Sequence, residues 1–151
     1  MQMIDVSKLA TVQQCRNLMG NAKRLGREDV RRAALRRCVQ LQAPTDTDPV
    51  VGGFGGMLVA LEEVFLQRYG RALKANRTRA KAKAAGIMTV LTDWARGRGQ
   101  GSGFEMLVEE GLGDYTGEYV VAVNPARFGA DAVFATRSKL AANGVALPGP
   151  T

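Results

Sequence analysis

Apolar residues return along this chain at helical spacing, and a glycine closes most of the stripes they form. Val12, Cys15, Met19 and Ala22 recur at i, i+3, i+7 and i+10, which puts them on one face of a helix. Val30, Ala34, Cys38 and Leu41 build a second stripe. Ile87, Val90, Leu91 and Trp94 build a third, at i, i+3, i+4 and i+7. Strand character is confined to 115–123, where Tyr119-Val120-Val121-Ala122-Val123 has high β propensity. A lone strand finds no second strand to pair with. Thr116, by contrast, is placed to cap a short helix that stops before Asn124-Pro125. The expected fold is therefore mainly α. It is one compact multi-helix domain over 1–151 with an N-terminal α-hairpin, and a single short strand at 117–123 is the alternative.

The punctuation predicts the organisation. Residues 8–42 form the hairpin: a helix over 9–25, a stop at Gly26, and a second helix with Glu28 and Asp29 in its first turn, where the helix dipole favours acids. Residues 43–56 read as a Pro/Gly linker, from Pro44 to Pro49 and on through Gly52-Gly53-Phe54-Gly55-Gly56. Those glycines imply either flexibility or a close backbone contact; their spacing fits neither a dinucleotide fingerprint nor a P-loop. Residues 57–147 form a helical body. Leu58, Leu61, Phe65 and Tyr69 share a side of its first helix, Asn76 is the expected N-cap of a helix from Arg77, and Gly86 marks a kink or turn. A glycine loop covers 97–103, a short helix starts at Phe104, and a last helix over 131–143 turns Val133, Phe134 and Leu140 inward. Residues 148–151 are a frayed tail.

Composition excludes several chemistries. The 151 residues are 46% hydrophobic, enough to build a core. No unbroken apolar run reaches about 18 residues, so no membrane partner is expected. There is no histidine, which removes Ser-His-Asp triads, Cys-His pairs and His-ligated zinc from this chain. Cys15 and Cys38 lie among apolar residues without CxxC spacing and are expected to be buried, reduced thiols. The first residues carry no basic and apolar leader pattern, so a cytoplasmic location is expected. Neither a cofactor, a metal nor a catalytic constellation is expected. The abundance of Ala, Gly and Arg resembles that of bacterial proteins from GC-rich genomes, where coding bias alone could supply part of the charge.

The charge itself is segregated. The net charge is +7. Eight cations fall between Arg16 and Arg37, opposed only by Glu28 and Asp29. Seven more (Arg68, Arg71, Lys74, Arg77, Arg79, Lys81 and Lys83) occupy a stretch with no acid between Glu63 and Asp93. Arg96 and Arg98 extend it. The sign then inverts at Glu105, Glu109, Glu110, Asp114 and Glu118. Cations at this density call for a counter-surface, either the acidic run or a phosphate backbone.

The candidate nucleic-acid site therefore comprises Arg68, Arg71, Lys74, Asn76, Arg77, Thr78, Arg79, Lys81, Lys83, Arg96 and Arg98. Arg and Lys neutralise phosphates, while Asn76 and Thr78 can hydrogen-bond phosphates or base edges. Arg77 with Lys81 and Arg79 with Lys83 form two helical rows about 160° apart. The second basic region, Lys23-Arg24, Arg31-Arg32 and Arg36-Arg37, is a weaker candidate. The chain is expected to be a small, non-catalytic nucleic-acid-binding protein that contacts the phosphate backbone, DNA ahead of RNA, with 105–118 available to a protein partner. The rival readings are a helical adaptor of a larger nucleoprotein assembly and a metal-dependent nuclease using the acids of 105–118.

Overall fold

The computed structural model describes residues 5–98 and 103–148. The middle of the expected glycine loop and the end of the tail lie outside them. Among the described residues there are eight α-helices and no strand: α1 (Val12–Arg24), α2 (Glu28–Gln42), α3 (Pro49–Tyr69), α4 (Asn76–Ala85), α5 (Ile87–Ala95), α6 (Phe104–Glu109), α7 (Gly117–Val123) and α8 (Ala130–Ala142). The chain divides into two compact units, 1–43 and 44–151.

The first unit is the α1–α2 hairpin. Thr11 opens α1 with a capping box: its hydroxyl accepts the Gln14 amide at 3.1 Å, and the Gln14 side chain accepts the Thr11 amide at 3.2 Å. Cys15, Met19 and Ala22 of α1 and Ala34, Leu35, Cys38 and Val39 of α2 are buried. Both cysteines are unbridged. Gly26 turns the chain with a φ of 69°, which only glycine adopts cheaply. Arg37 donates to the Leu9 carbonyl at 3.0 Å and pins the segment leading into α1.

The second unit is built on α3. This helix begins at Pro49, capped by Asp48, so the linker expected over 43–56 ends at residue 48. The glycines lie inside the helix, and two of them stand where a neighbour leaves no room for a side chain, Gly53 against Val120 of α7 and Gly55 against Pro44. A Cβ on Gly53 would stand 2.8 Å from Val120 Cγ2. Packing thereby overrides the poor helix propensity of glycine. The β-rich segment is α7, with the Thr116 hydroxyl accepting the Tyr119 amide at 3.1 Å. By length and hydropathy α3 meets the requirement for crossing a membrane, and half of that window is buried within the protein.

Trp94 of α5 is buried and stacks on Phe54 of α3, with ring centroids 6.3 Å apart. Glu118 of α7, 1% exposed, accepts from Lys139 of α8 at 2.8 Å, and Lys139 also sits 4.4 Å over the Phe104 ring. In α8 the buried residues are Ala132, Val133, Thr136 and Leu140. Phe134 is not turned inward as expected. It lies about 100° round the helix from Val133, outside that arc, and is 74% exposed.

Gly117→Ala tests the close packing at α7. The new Cβ would stand 2.6 Å from the Trp94 ring, in a place with nowhere to yield. Overpacking of this kind costs about 1–3 kcal/mol, more than the roughly 0.5–1 kcal/mol gained by removing a glycine. Urea denaturation should show a lower midpoint, and an unchanged or raised midpoint contradicts the packing.

A second expectation concerns acid. Arg127 donates to both oxygens of Asp48, at 2.8 and 3.1 Å, and the Val50 amide adds a bond at 2.9 Å. The guanidinium first, and that amide second, hold the Asp48 carboxyl down at about 2. The folded pKa lies below the unfolded one, so this stabilisation is complete above roughly pH 4 and is lost as the pH falls towards 2. The thermal midpoint should drop across that window, and less steeply in Arg127→Ala. A midpoint that rises on acidification contradicts it.

Candidate nucleic-acid interface

Helix α4 has no large apolar residue, and none of its residues is buried. Charge holds it in place. Glu62 of α3 accepts from Arg79 Nε at 3.0 Å and from the Ala75 amide at 2.8 Å, and Lys74 approaches within 3.9 Å. Burial works to raise the Glu62 pKa, but Arg79 and the Ala75 amide outweigh it and keep the carboxyl below its usual value. On the other side, Lys81 donates to Asp93 of α5 at 2.7 Å and pulls that carboxyl down. Gly86, with a φ of 94°, makes the turn between α4 and α5.

These clamps sort the candidate residues. Arg68 bridges Glu109 at 3.1 Å and Glu110 at 3.1 Å, the place where the acidic run meets the basic one. Partial burial acts to lower the Arg68 pKa, and the two carboxylates reverse that and raise it. Arg96 pairs with Asp131 at 3.2 Å. Lys74, Arg79 and Lys81 are taken by Glu62 and Asp93. Arg71, Arg77, Lys83 and Arg98 are exposed and make no ion pair among the described residues. Each of the two rows of α4 therefore contains one clamped and one open cation. Asn76 is not the N-cap: Ala75 holds that position, its amide taken by Glu62, and Asn76 is the exposed first residue of the helix. Thr78 is half-buried. Tyr69, 58% exposed, leans on Phe65 at the end of α3, beside Arg71 in sequence.

The second basic region is likewise partly occupied. Arg31 forms a two-pronged bond to Glu28 at 2.9 and 2.8 Å, and Arg32 lies 3.9 Å from the same carboxylate. The acids of 105–118 diverge: Glu109 and Glu110 go to Arg68 and Glu118 to Lys139. Among the described residues no group of three His, Cys, Asp or Glu side chains is placed to hold a metal ion.

No family model, curated protein or solved structure matches this chain. The site is therefore read from its own chemistry: a thin, polar, exposed helix whose remaining cations face solvent. The sequence suggests only ordinary surface pairing of Glu62-Glu63 with Arg68 and no partner for Asp93, whereas Glu62 holds Arg79 and the Ala75 amide and Asp93 holds Lys81. The signal lay in their positions, on either side of the acid-free stretch, within reach of a helix folded back between them.

Removing one clamp should expose its role. Glu62→Ala leaves Arg79 and the Ala75 amide without that acceptor, so α4 should lose amide protection while the buried helices α3 and α5 keep theirs. Hydrogen exchange reads the difference. Undiminished protection across 76–85 would show that something else fixes the helix.

Proposed function

We infer that this chain is a small, basic, non-catalytic protein that binds the phosphate backbone of a nucleic acid, DNA ahead of RNA. The observation that carries the reading is that Arg71, Arg77 and Lys83 are exposed and without an ion pair among the described residues, on and beside a helix that has no fully buried residue. Cations left without a counter-charge repel one another, and a phosphate backbone relieves that repulsion by releasing its counterions. The clamped residues Arg79 and Lys81 have a different part: they hold α4 so that the open cations keep their spacing. Tyr69 offers an exposed ring beside Arg71 for stacking.

The test is an anisotropy titration of a duplex and of a single-stranded oligonucleotide at about 50 and 200 mM salt, with and without Mg²⁺. Backbone binding predicts an affinity that falls steeply with salt and ignores Mg²⁺. No affinity for either the duplex or the single strand at the lower salt refutes the reading. The adaptor alternative draws on Phe134, which stands exposed on α8 and suits a protein contact better than a phosphate.

A further inference from the structure

The second unit holds an open cleft of about 400 Å³ between the first half of α3 and helix α4, extended by Ile87 at the start of α5. That volume falls within the range of small-ligand clefts, about 300–1,000 Å³. Val51, Leu58 and Ile87 supply apolar walls, and Gly52 keeps the floor low. Val51 is 38% exposed, an apolar side chain left facing the opening. Two charged groups border the cleft with something to offer. Lys83, on the α4 side, has no ion pair among the described residues. Asp46, on the other, sits beside Gly52: a Cβ there would lie 3.6 Å from that of Asp46. Its Oδ1 accepts the Asp48 amide at 2.8 Å, and Oδ2 has no hydrogen-bond partner among the described residues.

A simple apolar ligand would leave both charges unused, and a fatty anion would meet Asp46 as a repulsion. A nucleotide answers all three features. Its flat base fits between aliphatic walls, an amino group on the base edge donates to a carboxylate, and its phosphate meets a cation. The geometry points to this cleft as a pocket for one unstacked, amino-bearing base of a single strand, cytosine first, with Asp46 reading the amino group and Lys83 holding the adjacent phosphate. This rests on the nucleic-acid reading above and adds to it a substrate class, single-stranded rather than duplex. Charge density alone would favour the duplex, so a single-strand preference has to come from the base.

The experiment compares oligo(dC), oligo(dT) and a duplex of equal length, at pH 8 and about 50 mM salt, for the parent chain, Asp46→Ala and Ala82→Leu. The two single strands carry the same backbone charge, and only cytosine presents an amino group. Ala82 lines the cleft from α4, and leucine there narrows it with little loss of helix propensity. The parent should bind oligo(dC) at least roughly fivefold more tightly than oligo(dT), since a good carboxylate–amino contact discriminates by about that much or more. Both variants should bring the ratio close to one while remaining folded by circular dichroism. Should one variant unfold, the other decides. No preference for oligo(dC) in the parent, or a preference that survives in the folded variants, overturns the pocket and leaves backbone binding standing. Failure of all three oligonucleotides to bind overturns both.

Discussion

Replacing Trp94 with alanine should cost about 3–5 kcal/mol, the range for removing a buried indole or phenyl ring from a core. Trp94 is 7% exposed and joins three helices. It stacks on Phe54 of α3, it belongs to the α5 stripe with the fully buried Val90 and Leu91, and its ring closes on Gly117 of α7. Alanine would leave a void that none of these neighbours fills, because helices α3 and α7 are already held apart by no more than a glycine at residue 53. A loss of that size is a large share of the roughly 5–15 kcal/mol that keeps an ordinary domain folded. Urea denaturation measures it directly. Trp94 is also the only tryptophan, so fluorescence reports on this place alone. Emission at the wavelength of solvated indole in the parent, or a loss below about 1 kcal/mol in the variant, contradicts the packing described.

What could be read from the sequence followed the strength of local signals. Helices α1, α2 and α5 were legible because each carries an apolar stripe at helical spacing and a stop residue such as Gly26 after it. Helix α7 was harder, since Val120, Val121 and Val123 favour strands; the deciding features were the local Thr116 cap and the lack of a second strand-like segment in the sequence. The beginning of α3 was missed for a tertiary reason. Four glycines in five residues look like a linker, and only the tertiary approach of Val120 to Gly53 and of Pro44 to Gly55 shows that two of them are there for packing. The Asp48 cap and Pro49 at the first helical position were the local clues that outweigh them. Phe134 was misplaced because adjacent apolar residues on a helix lie about 100° apart and do not share a face. In the candidate site the cations were legible, but their partners were not. Glu62 and Arg79 are 17 residues apart, and no periodicity links them. A charge count therefore finds the basic surface and overstates how much of it is free.

On the proposed function, Arg77 and Lys83 contact phosphates while Arg79 and Lys81 hold the fold. The most direct test compares two double variants, Arg77→Ala/Lys83→Ala and Arg79→Ala/Lys81→Ala, in titrations of the same oligonucleotide between about 50 and 200 mM salt. Each phosphate contact removed lowers the slope of log affinity against log salt by roughly 0.9. The first pair should therefore flatten the slope by about 2 and weaken unrelated sequences about equally, with no change in the unfolding midpoint. The second pair should lower the midpoint and loosen α4, because it breaks the contacts to Glu62 and Asp93. An unaltered affinity and slope in Arg77→Ala/Lys83→Ala, measured on a parent that binds, would contradict this division of roles.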